Sequence, residues 1–237
     1  MQDLLKNKLV WLVAAVVVVG GGILLATKDG GETKLNINKE LQSKCMTQVN
    51  DELFCKFAGV FGNVSTFKVT ATSTSEQGTS SFEISTDAKD NNQMVVKQNN
   101  QEQANIVVYN GVTYLKDYTD GQWFKYAADD PSRPEVSDLK KEFAKGDFKS
   151  DSGQKIEYVK MGTEACGNLQ CYKYQVKDPD TPGDNFLWFD TKDYLLRRIT
   201  LKDQSSSTDM NVNYGAVNIS QPSPTKDVPS LDTDTIQ

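Results

Sequence analysis

The 237-residue chain contains no histidine at all. That excludes Ser-His-Asp and Cys-His catalytic devices and every mixed Cys/His zinc site. Neither a GxGxxG nor a P-loop pattern occurs, so nothing points to dinucleotide or nucleoside triphosphate binding. Arginine is absent before Arg133, no basic cluster forms anywhere, and 26 Lys+Arg face 32 Asp+Glu for a net charge of −6. Nucleic acid is therefore not expected as a partner, since phosphate binding needs concentrated positive charge, and neither is an attachment lying flat on anionic lipid. Carboxylate pairs do occur, as Asp129-Asp130 and Asp178-x-Asp180, but both sit in proline-bearing loops where Asp is an ordinary turn former. The DPDTPGDN loop, residues 178–185, lacks the spaced acidic register of a calcium loop. No enzyme activity, metal or cofactor is expected.

Cysteine is scarce too: Cys45-x9-Cys55 and Cys166-x4-Cys171, neither with zinc spacing. Long apolar runs are missing except one. Leu9 to Ala26 passes eighteen residues without a charge, which as a helix covers roughly 27 Å of the roughly 30 Å hydrocarbon core. It ends Leu24-Leu25-Ala26, with a bulky residue where signal-peptide cleavage wants a small one, so an uncleaved anchor is expected. Lys6 and Lys8 precede it and place residues 1–8 in the cytoplasm and everything after the span outside. The expected organisation is a cytoplasmic N-terminus (1–8), a transmembrane anchor (9–26), a polar linker (27–37), an extracytoplasmic domain (38–222) and a loose tail (223–237). Localisation follows as the cell membrane, single-pass, with the domain in the envelope.

Outside the cytoplasm thiols tend to be oxidised. The stretch ACGNLQCYKY reads as two strand ends with facing cysteines, so Cys166 and Cys171 are expected to pair. Cys45 and Cys55 would lie about 15 Å apart on one unbroken helix. Either that helix breaks near Asn50, a plausible N-cap ahead of Asp51 and Glu52, or the two thiols stay reduced.

Residues 38–61 carry Leu41, Cys45, Val49, Leu53, Phe57 and Val60 at helical spacing, an amphipathic helix in one or two pieces. The period then becomes two. Phe67, Val69 and Ala71 alternate with polar residues, as do Phe82 and Ile84, then Met94 and Val96. Asn110-Gly111 and Asp120-Gly121 are hairpin signals linking three further strands. After DDPSRP the segment VSDLKKEFAKG predicts a short helix with Ser137 as N-cap, and a second set of strands follows. Single-face alternation implies an antiparallel sheet with one wet and one buried face.

Three passages carry a family likeness: YLKDYTDGQWFKY, FLWFDTKDYLLRRITLKD and MNVNYGAVNISQP. Together with the element order they resemble the superfamily of periplasmic lipoprotein carriers and mycobacterial lipid-binding lipoproteins. The resemblance implies a mainly β (α+β) fold: an incomplete antiparallel β-barrel, or half-barrel, covered by helices and here preceded by one transmembrane helix. It further implies a concave apolar face that takes a lipid acyl chain or a lipoprotein. The residues it nominates for that cup are Val69, Phe82, Ile84, Val96, Tyr114, Trp123, Trp188, Arg197 and Val212. The same aromatics could instead fill a closed core. An early-strand arginine of the kind that gates release in the carrier has no counterpart here, and shuttling between membranes is not implied. The competing function is a non-catalytic envelope interaction or sensor module on the same scaffold with no ligand cavity. Strand phase places Arg197 with Leu195, Ile199 and Leu201, and Arg198 on the opposite side.

Overall fold

The computed structural model describes residues 36–61, 63–76, 78–130, 132–134, 147–150 and 152–228. The expected anchor at 9–26, the residues before it, nearly all of the linker, the helix expected over 136–146 and the last nine residues lie outside that set. Among the described residues no helix is long and apolar enough to cross a membrane.

Among the described residues the first elements are two short helices, α1 (Lys39–Gln48) and α2 (Glu52–Phe61). Asn38 caps α1 by accepting the Leu41 amide at 3.1 Å, as an N-cap side chain does. The break between the helices falls where the sequence places it, but the roles are shifted by one residue. Asn50 takes a left-handed φ of 59°, a conformation Asn tolerates, and Asp51 caps α2 by accepting the Phe54 amide at 2.9 Å. That reversal brings Cys45 and Cys55 to a Cα separation of 5.3 Å, and they are bonded. Cys166 and Cys171 are bonded as well, at 5.9 Å.

All strands among the described residues belong to one open twelve-stranded sheet. Its first meander is β1 (Phe67–Ser75), β2 (Gly78–Thr86), β3 (Asn92–Gln98), β4 (Gln101–Tyr109), β5 (Val112–Lys116) and β6 (Trp123–Lys125). The second is β7 (Glu157–Cys166), β8 (Leu169–Asp178), β9 (Thr181–Asp190), β10 (Leu196–Lys202) and β11 (Ser206–Asn213). Each meander pairs neighbour with neighbour, and β1 joins β11 antiparallel in the middle of the sheet. The last strand, β12 (Thr225–Asp227), adds in parallel to β6. The expected half-barrel is thus an open sheet, not closed, with β7 and β12 as its outer strands. Residues 223–228 belong to this fold through β12, whereas the sequence assigns them to a loose tail. Three residues are too few to show a strand period, so the pattern could not reveal them.

Register builds the core directly. One cross-strand row runs Val212–Val69–Ile84–Met94–Ile106–Leu115–Phe124 across seven strands. A second runs Tyr174–Leu187–Ile199–Met210–Ala71–Phe82–Val96–Ala104. Both rows lie on the face that carries the helices, because residues opposite one another in a pair share a face. The opposite, outer face is mostly polar and carries one small apolar cluster, Val107, Tyr114 and Ile219.

Candidate functional site

The inner face divides into two halves. Over β8 to β11 and β1 it is filled by α2. Phe57 stacks on Phe189 with centroids 4.5 Å apart, and Phe54 lies 4.1 Å from the Tyr158 ring and 5.6 Å from Tyr174. These side chains are buried with Leu187, Leu196, Ile199 and Met210 in one continuous core. Tyr174 is fully buried, and its hydroxyl donates to both carboxylate oxygens of Asp51 at 3.0 Å. One carboxylate therefore satisfies both a helix end and a phenol that would otherwise lack a partner.

Beyond β1 the same rows continue with less cover. Phe82, Met94, Val96, Ala104, Leu115 and Phe124 are only partly buried, although all point to the inner face. Phe82 and Met94 still touch the main core; among the described residues, Val96, Ala104, Leu115 and Phe124 join neither apolar cluster. From Ile84 to Phe124 the row crosses four strand spacings, about 19 Å. It is an apolar shelf continuous with the core.

The nominated residues fall in three places. Val69, Phe82, Ile84, Val96 and Val212 share the inner face, with Val69, Ile84 and Val212 buried in the core and Phe82 and Val96 on the shelf. Tyr114, Trp123 and Trp188 lie on the outer face. Tyr114 pairs with Val107 and is covered by Ile219, with Trp123 packed against that cluster. Trp188 donates its indole N–H to Glu164 at 2.6 Å and lies between the Lys173 ammonium (5.0 Å) and the Arg198 guanidinium (5.1 Å). Arg198 also pairs with Asp209 on that face, as its strand phase implies.

Arg197 is the extra residue of a β-bulge, since Leu196 pairs with Phe189 and Arg198 with Trp188. Its guanidinium reaches Asp193 and lies 3.7 Å from Asp190, with the Tyr214 ring 5.3 Å away. Burial pushes the Asp193 carboxyl above its ordinary range, against the pull of Arg197. The Arg197 Nε is enclosed without a hydrogen-bond partner. An inner-face arginine needs compensation, and here two carboxylates from its own turn supply it.

Two bulges explain what the sequence pattern missed. Between β3 and β4 the pairing shifts after Val96, leaving Gln103 unpaired. An uninterrupted register through the Asn99-Asn100 turn would put Tyr114 on the Met94 side; the extra residue flips every later strand, turning Tyr114 and Trp123 outward and Leu115 and Phe124 inward. For Trp188 no phase was readable, because Phe186 to Phe189 is apolar at every position.

Far from the shelf, Lys155, Glu157, Lys177 and Asp178 line an open dent of about 310 Å³ beside the β8–β9 turn. Lys177 and Glu157 pair across it at 3.4 Å. No group of three or more acidic or cysteine ligands able to hold a metal ion occurs among the described residues.

No family model matches the chain, and no curated protein matches it by sequence. Among solved structures it is similar to the lipoprotein LppX of Mycobacterium tuberculosis, at 14% identity and a TM-score of 0.43, covering 77% of this chain and 100% of that one. It is also similar to LprF from Mycobacterium bovis, at 15% identity and a TM-score of 0.42, covering 81% and 100%. A LolA superfamily protein from Nitrosomonas europaea aligns at 8% identity and a TM-score of 0.29, covering 78% and 95%.

Proposed function

We propose that this chain is a lipid- or lipoprotein-binding protein of the cell envelope that holds an acyl chain on the shelf formed by Phe82, Met94, Val96, Leu115 and Phe124. The observation that carries the reading is the continuation of the two core rows past the helices onto partly exposed apolar side chains. The shelf is about 19 Å long by strand spacing, and a chain filling one leaflet of a roughly 30 Å hydrocarbon core needs about 15 Å. Each Å² of apolar surface covered contributes about 25 cal/mol. The two disulfides suit an oxidising compartment, and residues 9–26 would anchor the domain to the membrane with its N-terminus inside.

A photoactivatable palmitic acid, cross-linked to the full chain in membranes and mapped by mass spectrometry, tests the shelf. Adducts are expected on β3 to β6, and the double variant Val96→Glu, Leu115→Glu should lose them, because a carboxylate on the shelf must be desolvated beside the chain. Equal labelling of variant and wild type, or labelling confined to residues 9–26, would remove the lipid reading. The filled half of the inner face would then favour the second reading, an interaction or sensor module without a ligand.

A further inference from the structure

The segment after β11 crosses the outer face of the sheet and ends on its far edge, and it is held very differently at its middle and at its tip. In the middle, Ile219 is 6% exposed and packs against Val107 and Tyr114. Its backbone amide also bonds the Asp87 carboxylate, a group that is itself buried and accepts from Asn91 and Lys89. This anchor is apolar and desolvated.

The tip is β12, three residues long, with Thr225 and Asp227 exposed. Pro224 accepts the Trp123 amide at 3.0 Å. Besides its parallel pairing with Trp123, Phe124 and Lys125, the tip is fixed by Lys226, whose ammonium pairs with Asp117 and, at 2.8 Å, with Asp120, and lies 4.3 Å from the centre of the Phe124 ring. The two carboxylates are oriented independently of the lysine. Asp117 accepts the Thr119 amide at 2.8 Å and Asp120 the Gln122 amide at 2.9 Å, both within the β5–β6 turn. The socket is thus built by its own turn and can stand empty without collapsing. Lys226 and Asp117 are partly buried and Asp120 is exposed; ion pairs that keep contact with water are weakened by salt, whereas buried apolar contacts are not.

We propose that β12 is a reversible latch: the tip leaves and re-enters the Asp117/Asp120 socket while the segment stays anchored at Ile219, and release uncovers the β6 edge and the Phe124 end of the shelf. Parallel pairing places Lys226 directly beside Phe124, the last residue of the inner-face row, so the lysine closes that end of the shelf. The link to ligand access rests on the lipid reading; the latch itself does not.

Hydrogen exchange of the full chain, read by mass spectrometry, tests both parts. In Lys226→Ala the peptide containing Trp123 to Lys125 should exchange roughly three- to tenfold faster, as expected for loss of partly exposed ion pairs. Wild type in about 1 M salt should show the same acceleration, Lys226→Arg should restore wild-type protection, and β4 and β5 should be unaffected in all cases. Unchanged β6 exchange in Lys226→Ala overturns the latch, and so does loosening of β4, β5 and residues 217–219 together with β6, since the segment would then move as one belt. A fluorescent fatty-acid probe reads the coupling: faster dissociation from Lys226→Ala supports it, while equal rates alongside accelerated β6 exchange overturn it. If the probe binds neither protein the shelf reading fails, and the exchange data still decide the latch.

Discussion

Asp51 accepts hydrogen bonds from the Phe54 amide and from the Tyr174 hydroxyl, 123 residues further along the chain, so one carboxylate ties the start of α2 to the middle of β8. Asp51→Ala removes the cap, which costs about 1 kcal/mol, and leaves a buried hydroxyl unsatisfied, which costs about 1–3 kcal/mol. Tyr174→Phe deletes only the phenol, keeps the ring packing against Phe54 and Phe189, and leaves the cap in place. Urea unfolding should therefore give a loss of about 2–4 kcal/mol for the first variant and about 1 kcal/mol for the second. An equal loss in both would mean that the cap contributes nothing. The Asn50/Asp51 pair also marks what sequence can resolve at this scale. Both residues are good caps and both tolerate turns, so composition locates the break but not the division of labour, which depends on the left-handed turn at Asn50.

The helix pair depends on its crosslink and on one close approach. Cys45 and Cys55 are wholly buried between α1 and α2, whereas Cys166–Cys171 closes a shorter loop at an exposed hairpin tip where Leu169 is 39% exposed. Chain-entropy reasoning assigns each bridge on the order of 2–3 kcal/mol, more for the longer loop, and cavity and packing losses are larger for the first pair, where both sulfurs are buried, than for the second, where only Cys171 is. Thermal melting should show a larger drop for Cys45→Ser, Cys55→Ser than for Cys166→Ser, Cys171→Ser; the reverse order would refute this account. At Gly59 an added Cβ would come within 2.7 Å of the Ile37 side chain and 3.1 Å of the Asn38 carbonyl oxygen, so Gly59→Ala should destabilise by about 1–3 kcal/mol through overpacking. The latch has a pH signature as well. Lys226 and the Thr119 donors hold Asp117 at about 2, and Asp117 and Asp120 raise Lys226. A depressed carboxylate contributes above its ordinary pKa and is lost only as pH falls through the depressed value, and a raised lysine contributes below its ordinary pKa. Corrected for intrinsic rates, exchange at the Trp123 amide should be flat from about pH 5 to about pH 9, although it responds to salt. Alternation, hairpin signals and the Cys166–Cys171 spacing made most of these elements legible in advance, whereas the sequence left open whether Cys45 and Cys55 pair. The bulge at Gln103 was not legible and turns Tyr114 and Trp123 outward, and the unbroken apolar run from Phe186 to Phe189 hid the phase of Trp188, so three of nine nominated residues face the outer side.

At the scale of the whole molecule, two meanders joined at β1 and β11 share one inner face, and only one of them carries α2 as a plug. The plugged half has its aromatics stacked and its phenol bonded, so its local opening should approach the global unfolding free energy. Among the described residues, Val96, Ala104, Leu115 and Phe124 of the shelf half join neither apolar cluster, and this half should open more readily. A ligand that binds only the folded state stabilises it in proportion to the logarithm of its excess over Kd, and a ligand on the shelf stabilises that half preferentially. Saturation with palmitic acid should therefore slow exchange in β3 to β6 by roughly tenfold or more, about 2.7 kcal/mol being available at a hundredfold excess over Kd, while β8 to β10 change little. Protection spread evenly over both meanders would indicate general stabilisation from elsewhere, and protection centred on β8 to β10 would place the ligand under α2, which requires Phe57 to leave Phe189. The sheet's asymmetry makes these outcomes separable, because the same two rows of side chains are fully buried under α2 but mostly only partly buried from Phe82 and Met94 to Phe124.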